Sequence, residues 1–130
     1  MVMDKKGFVA ILGLSIALVT VRAACTDELG DTYVGFAQCL TNKNVTMYGA
    51  YWCPHCANQK KLFGTQGFEK VKYVECAVGG PSAQPVLCTE KKIEGYPTWI
   101  FPDGSRLQGE ISLEELSKKG VCSLPPTPNA

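Results

Sequence analysis

Apolar and polar positions follow two recurring patterns along the chain, and their order predicts its architecture. Near the N-terminus, Phe8 to Val21 runs without a charge. Tyr33, Val34, Phe36, Ala37 and Leu40 then recur at helical spacing, which predicts a short amphipathic helix over Asp31–Leu40, with Asp27 or Asp31 as cap and Thr41–Asn44 as its end. Val45–Ala50 reads as a buried strand running straight into Tyr51 and Trp52. From Pro54, a proline in the first turn followed by Cys56, Gln59, Leu62 and Phe63 predicts a helix ending at Gly64 or Gly67. Val71–Cys76 is a second strand, the Gly- and Pro-rich stretch 77–85 a loop, and Val86–Ile93 a helix. Gly95–Phe101 is a third strand, Pro102–Ser105 a hairpin turn and Arg106–Glu110 a fourth strand. Ser112 and Glu115 form a capping box that opens a last helix ending near Gly120. The stretch 123–130 carries three prolines and is expected to be a loose tail.

Two strands joined through a helix run parallel with a right-handed crossover, whereas the hairpin adds antiparallel strands. The pattern therefore predicts an α/β fold, a three-layer α/β/α sandwich on a mixed central sheet. At 130 residues the chain is one domain, and 45% apolar with 19% charged residues is enough to bury a core. A formal net charge of +1 argues against a nucleic-acid partner, which would need a basic face. No internal repeat is present, and Gly79-Gly80 lacks the lysine and hydroxyl of a phosphate loop.

Seven cysteines in so short a chain make the compartment the next question. Lys5 and Lys6, the apolar stretch and the small residues around Ala23 read as a secretory signal peptide over 1–23, cut after Ala23 or Ala24. The apolar stretch would rise only about 21 Å as a helix, short of the roughly 30 Å hydrocarbon core, so an anchor fits less well. Acylation at Cys25 is disfavoured by Arg22 three positions before it. Removing 1–23 takes away three positive charges and one negative, turning the net charge from +1 to −1. The expected product is a domain over 24–122 exported to periplasm, thylakoid lumen, endoplasmic reticulum or the extracellular space.

Cys53-Pro54-His55-Cys56 is the strongest chemical signal in the chain. A cysteine at a helix N-terminus meets unpaired amides and the positive end of the dipole, which favour the thiolate, and a second cysteine one turn on can close a disulfide with it. A static bridge and half of a zinc site are the competing readings; zinc would want a second close pair, and Cys76 and Cys88 have eleven residues between them. His55, the only histidine, is placed to stabilise the Cys53 thiolate, which would favour the reduced form and make the disulfide more oxidising.

Trp52 to Cys56, preceded by a hydrophobic strand and followed by Tyr96-Pro97-Thr98, resembles the thioredoxin superfamily over nearly all of the chain after residue 23. Within it, Met47–Cys56, Tyr73–Cys76, Cys88, Ile93–Trp99 and Ser112–Leu116 look like the thioredoxin-like domain that accompanies vitamin K epoxide reductase homologues. Gly95–Thr98 is also similar to protein disulfide isomerases, and the Pro54-His55 dipeptide to periplasmic oxidants of the DsbA type. The resemblance implies a thioredoxin fold without cofactor, acting on protein thiols and disulfides and on a membrane partner of the vitamin K epoxide reductase type. Cys53 would form the mixed disulfide and Cys56 resolve it. Pro97 would be a cis-proline beside the site, with the Tyr96 backbone pairing with substrate and Trp52 and Pro54 flanking it. Met47 departs from the family, which usually carries there a buried carboxylate that relays a proton for the second cysteine. Another group, or a dedicated partner, would have to supply that base.

Five cysteines remain, and topology narrows their pairing. Cys76 ends a strand and Cys88 lies in the helix starting from the same edge; Cys39 ends the first helix and Cys122 follows the last. The expected bridges are Cys76–Cys88 and Cys39–Cys122, leaving Cys25 free, with a second redox role for Cys76–Cys88 as an alternative. Asn44-Val45-Thr46 is a glycosylation sequon or a plain turn, and the paired lysines at 60–61, 91–92 and 118–119 read as solvated faces. The leading expectation is a monomeric thiol-disulfide oxidoreductase without metal. The rival is a disulfide-stabilised binding or structural module of the same fold that does no exchange.

Overall fold

A computed structural model describes residues 32–126; the expected signal peptide, Cys25 and the last four residues of the tail lie outside the described residues. Among the described residues the first helix is α1 (Val34–Asn42), which turns Phe36, Ala37 and Leu40 inward. It runs two residues past the expected end at Leu40, because the Gln38 amide bonds to Asn42 Oδ1 at 2.9 Å and the Lys43 N–H reaches Cys39 O. Asn44, at φ 59°, reverses the chain into β1 (Thr46–Gly49). Helix α2 (Pro54–Phe68) follows, then β2 (Tyr73–Glu75), α3 (Pro85–Glu90), β3 (Thr98–Ile100), β4 (Arg106–Gln108) and α4 (Leu113–Gly120).

The four strands form one mixed sheet in the order β2-β1-β3-β4. The crossover through α2 makes β1 and β2 parallel, with Met47 opposite Tyr73, while β3 is antiparallel to both β1 and β4. Alternation along the strands sends side chains to two faces. Met47 and Trp99 join a core with residues of α1, α2 and α4, whereas Tyr48, Val74 and Ile100 meet Leu87 and Cys88 of α3 on the other face. Among the described residues three helices thus cover one face and one short helix the other. Every residue of β1 is buried, as a central strand covered on both faces requires.

The strands are shorter than the apolar runs that predicted them. Pro97, with no N–H to donate, precedes β3 and keeps the ladder from extending back to Gly95. The helix expected over Val86–Ile93 stops at Glu90, since Lys92 turns left-handed at φ 53° and Ile93 N–H bonds back to Cys88 O. In α2, Gly64 (φ 70°) breaks the helical path where an end was expected, yet one further turn carries it to Phe68. Ser112 caps α4 by accepting from Glu115 N–H at 3.1 Å. Glu114 and Glu115 in its first turn and Lys118 and Lys119 in its last match the helix dipole.

Among the described residues two disulfides tie the layers together. Cys39–Cys122 joins α1 to the residue pair after α4, and Cys76–Cys88 joins the end of β2 to α3. Inside the larger core Phe63 meets Phe36 and Trp99 at ring separations of 5.8 and 5.9 Å. Among the described residues no helix is long and apolar enough to cross a membrane.

Candidate active site

At the end of β1 the chain turns through Ala50, Tyr51 and Trp52, and Cys53 becomes the N-cap of α2 with an extended backbone (φ −79°, ψ 120°). Cys53 N–H bonds to Ala50 O, and Pro54 occupies the first helical position, where its missing N–H costs nothing. Cys56, one turn on, comes back beside Cys53, and the two thiols are unbridged. Both are nearly closed to solvent, with 6% and 1% of their surface exposed.

The Cys53 thiol donates to Tyr96 O at 3.7 Å, and the Tyr96–Pro97 peptide is cis with Pro97 buried. The Trp52 indole, largely exposed, stands edge-on to the Tyr96 ring at 6.0 Å, next to the exposed Tyr51. Trp52, Cys53, Pro54 and Cys56 thus meet Tyr96 and Pro97, across a sequence separation of 43 between Cys53 and Tyr96, in one patch rimmed by aromatic rings. Cys76 and Cys88 do not join it; their bridge lies in the core on the opposite face of the sheet.

His55 points out of this patch. Its Nδ1 lies 2.7 Å from Glu110 Oε1, the oxygen that also accepts from Asn58 Nδ2 at 3.0 Å. These two bonds hold the Glu110 carboxyl below its ordinary value, the Asn58 contribution being the larger. Below them Gln59, fully buried, exchanges two bonds with the backbone of Ile111: Nε2 donates to Ile111 O at 2.9 Å and Oε1 accepts from Ile111 N–H at 2.7 Å. The start of α2 is thus fastened twice to the segment between β4 and α4.

Behind Cys56, Met47 is completely buried. Tyr73 and Glu75 on β2 and Lys60 on α2 form a linked set of ionisable groups nearby. Glu75, 4% exposed, accepts at Oε1 from the Tyr51 and Ala77 N–H groups at 3.1 and 2.9 Å, and at Oε2 from the Tyr73 hydroxyl at 2.8 Å. The Lys60 ammonium lies over the Tyr73 ring, 4.1 Å from its centre. Burial pushes the Cys56 thiol up to about 12, with the Cys53 side chain adding to the shift and Lys60 opposing it. Cys56 is therefore a protonated thiol at neutral pH.

Sequence reasoning missed Tyr73, Glu75, Gln59 and Glu110. Glu75 alone left a trace, as a carboxylate inside an apolar strand parallel to the one leading into Cys53. Glu110 reaches the site through a separation of 55 residues that no local pattern marks.

The fold and site define an α/β domain carrying a buried dithiol at the junction of a strand and a helix. No protein-family model matches the chain. Over 94 residues, 70% of its length, the chain is 41% identical to the thiol-disulfide oxidoreductase LTO1 of Arabidopsis thaliana. It spans 25% of that protein's length.

Proposed function

We propose that this chain is a thioredoxin-fold thiol-disulfide oxidoreductase that exchanges disulfides with protein substrates through Cys53 and Cys56. The observation that carries the reading is the unbridged dithiol at the N-terminus of α2, beside the Tyr96 carbonyl, in a chain that elsewhere bridges four described cysteines. Similarity to a thiol-disulfide oxidoreductase supports the same chemistry.

In the oxidising direction a substrate thiolate attacks Cys53 Sγ of the Cys53–Cys56 disulfide. A mixed disulfide forms, and Cys56 departs with the electron pair and takes up a proton. A second substrate thiolate then attacks the substrate sulfur bound to Cys53, leaving an oxidised substrate and a reduced dithiol. Two electrons have moved from substrate to domain. Reduction runs the same steps backwards, with Cys56 as the resolving nucleophile. Trp52 and Tyr96 offer apolar contact to the substrate, and the Tyr96 backbone offers its hydrogen bonds. On the strength of the sequence resemblance, the proposal includes export through the N-terminal apolar segment and reoxidation by a membrane partner of the vitamin K epoxide reductase type.

Trapping tests the reading. Oxidised Cys56→Ser protein, charged at Cys53 with a small disulfide, is mixed with reduced, unfolded ribonuclease. A covalent adduct that dithiothreitol releases, and that Cys53→Ser/Cys56→Ser lacks, is expected. No adduct above that of the double variant contradicts the proposal.

A further inference from the structure

We propose that Glu75, acting through the Tyr73 hydroxyl, accepts the proton of Cys56 when Cys56 resolves a mixed disulfide, the task left open by Met47 on β1. The inference rests on the exchange reading above and assigns the base within it.

The geometry carries it. Gly49 borders both Cys56 and Tyr73: a Cβ there would fall 2.9 Å from Cys56 Sγ and 3.1 Å from the Tyr73 hydroxyl oxygen, so both groups edge the space that its missing side chain leaves, a span one water can bridge. The Tyr73 hydroxyl spends its proton on Glu75 Oε2, which leaves its oxygen lone pairs free to accept from a thiol, directly or through one water. Glu75 is anchored by two backbone N–H groups, so its free acceptor capacity is aimed along β2 rather than at solvent.

The groups facing Cys56 are few. Helix α2 offers Cys53 and Lys60, β2 offers Tyr73, whose hydroxyl leads on to Glu75, and Met47 and Trp99 of the same core and Gly49 do not ionise. Burial and Glu75 hold the Tyr73 phenol well above its ordinary value, so it passes a proton on without itself becoming phenolate. In the step, the Cys56 proton goes to the Tyr73 oxygen as the Tyr73 proton goes to Glu75. The Cys56 thiolate then attacks Cys53 Sγ, the Cys53–substrate bond breaks, and the substrate sulfur leaves with the electron pair. Lys60 stabilises the transient Cys56 anion.

The test uses 5,5′-dithiobis(2-nitrobenzoate) on the reduced protein in a Cys25→Ser background. One thionitrobenzoate is released as Cys53 forms the mixed disulfide, and a second as Cys56 resolves it, so the phases separate the two cysteines. In Tyr73→Phe, which keeps the ring and its Lys60 contact, and in Glu75→Gln, the first phase is expected to stay at the parent rate. The second should slow by tenfold or more at pH 7 and recover by about tenfold per pH unit, as deprotonation by solvent takes over. A second phase with the parent's rate and pH profile in Tyr73→Phe overturns the relay while leaving exchange intact. Absence of the first phase in the parent overturns the exchange reading and the relay with it.

Discussion

At the scale of single residues, the site is organised by where charge is admitted and where it is kept out. Cys56 is buried against Met47 and an aromatic core, and its thiol is held protonated by that burial. His55 and Glu110 are the solvent-side counterpart. Because the Glu110 carboxyl is held below its ordinary value of 4.5, the stabilisation it provides is complete above that value and disappears as pH falls through its lowered value. Glu110→Gln is therefore expected to lower the urea midpoint modestly at pH 7, since solvent screens the pair, and to match the parent at pH 2. Urea titrations at the two pH values check this. A difference that persists unchanged at pH 2 would assign the effect to packing rather than charge.

At the scale of elements, the helix that carries the cysteines is positioned by contacts distant in sequence. Gln59 satisfies both backbone groups of Ile111 in the core, and a leucine there would leave a buried N–H and a buried carbonyl without partners. Gln59→Leu should destabilise the fold by about 2–4 kcal/mol, read from urea unfolding with an unchanged m-value. The same contacts show what local pattern discloses. The order and kind of elements were legible, because apolar spacing, Pro54, the Ser112 cap and the Gly-rich breaks are local features. The ends of elements were less so: strands stop where tertiary hydrogen bonds stop, as at Pro97, and α3 stops where Lys92 turns left-handed. That Cys53 and Cys56 stand together at the start of a helix was legible from their spacing. Tyr73, Glu75, Gln59 and Glu110 were not, since each acquires its role only when the sheet brings β2 or the segment after β4 against α2.

At the scale of the whole molecule, the cysteines divide by surroundings rather than by number. The Cys39–Cys122 bridge closes a sequence separation of 83 and Cys76–Cys88 one of 12. If bridges act by restricting the unfolded chain, replacing the first pair with alanine should cost about 4–5 kcal/mol and the second about 3. Chemical unfolding of the two double variants orders them. Neither replacement should abolish exchange, because both bridges lie outside the Cys53 patch. A loss of exchange confined to Cys76→Ala/Cys88→Ala, with the fold intact, would instead make that pair part of the electron path. Above all, Cys53 and Cys56 are expected to form an exchangeable couple rather than a fixed staple. Equilibration of the purified domain with glutathione redox buffers, scored by thiol alkylation and mass, measures it most directly. A potential between about −270 and −120 mV, the range spanned by exchanging dithiols, is the expected result; one well below about −300 mV would mark a static bridge and overturn the proposed exchange.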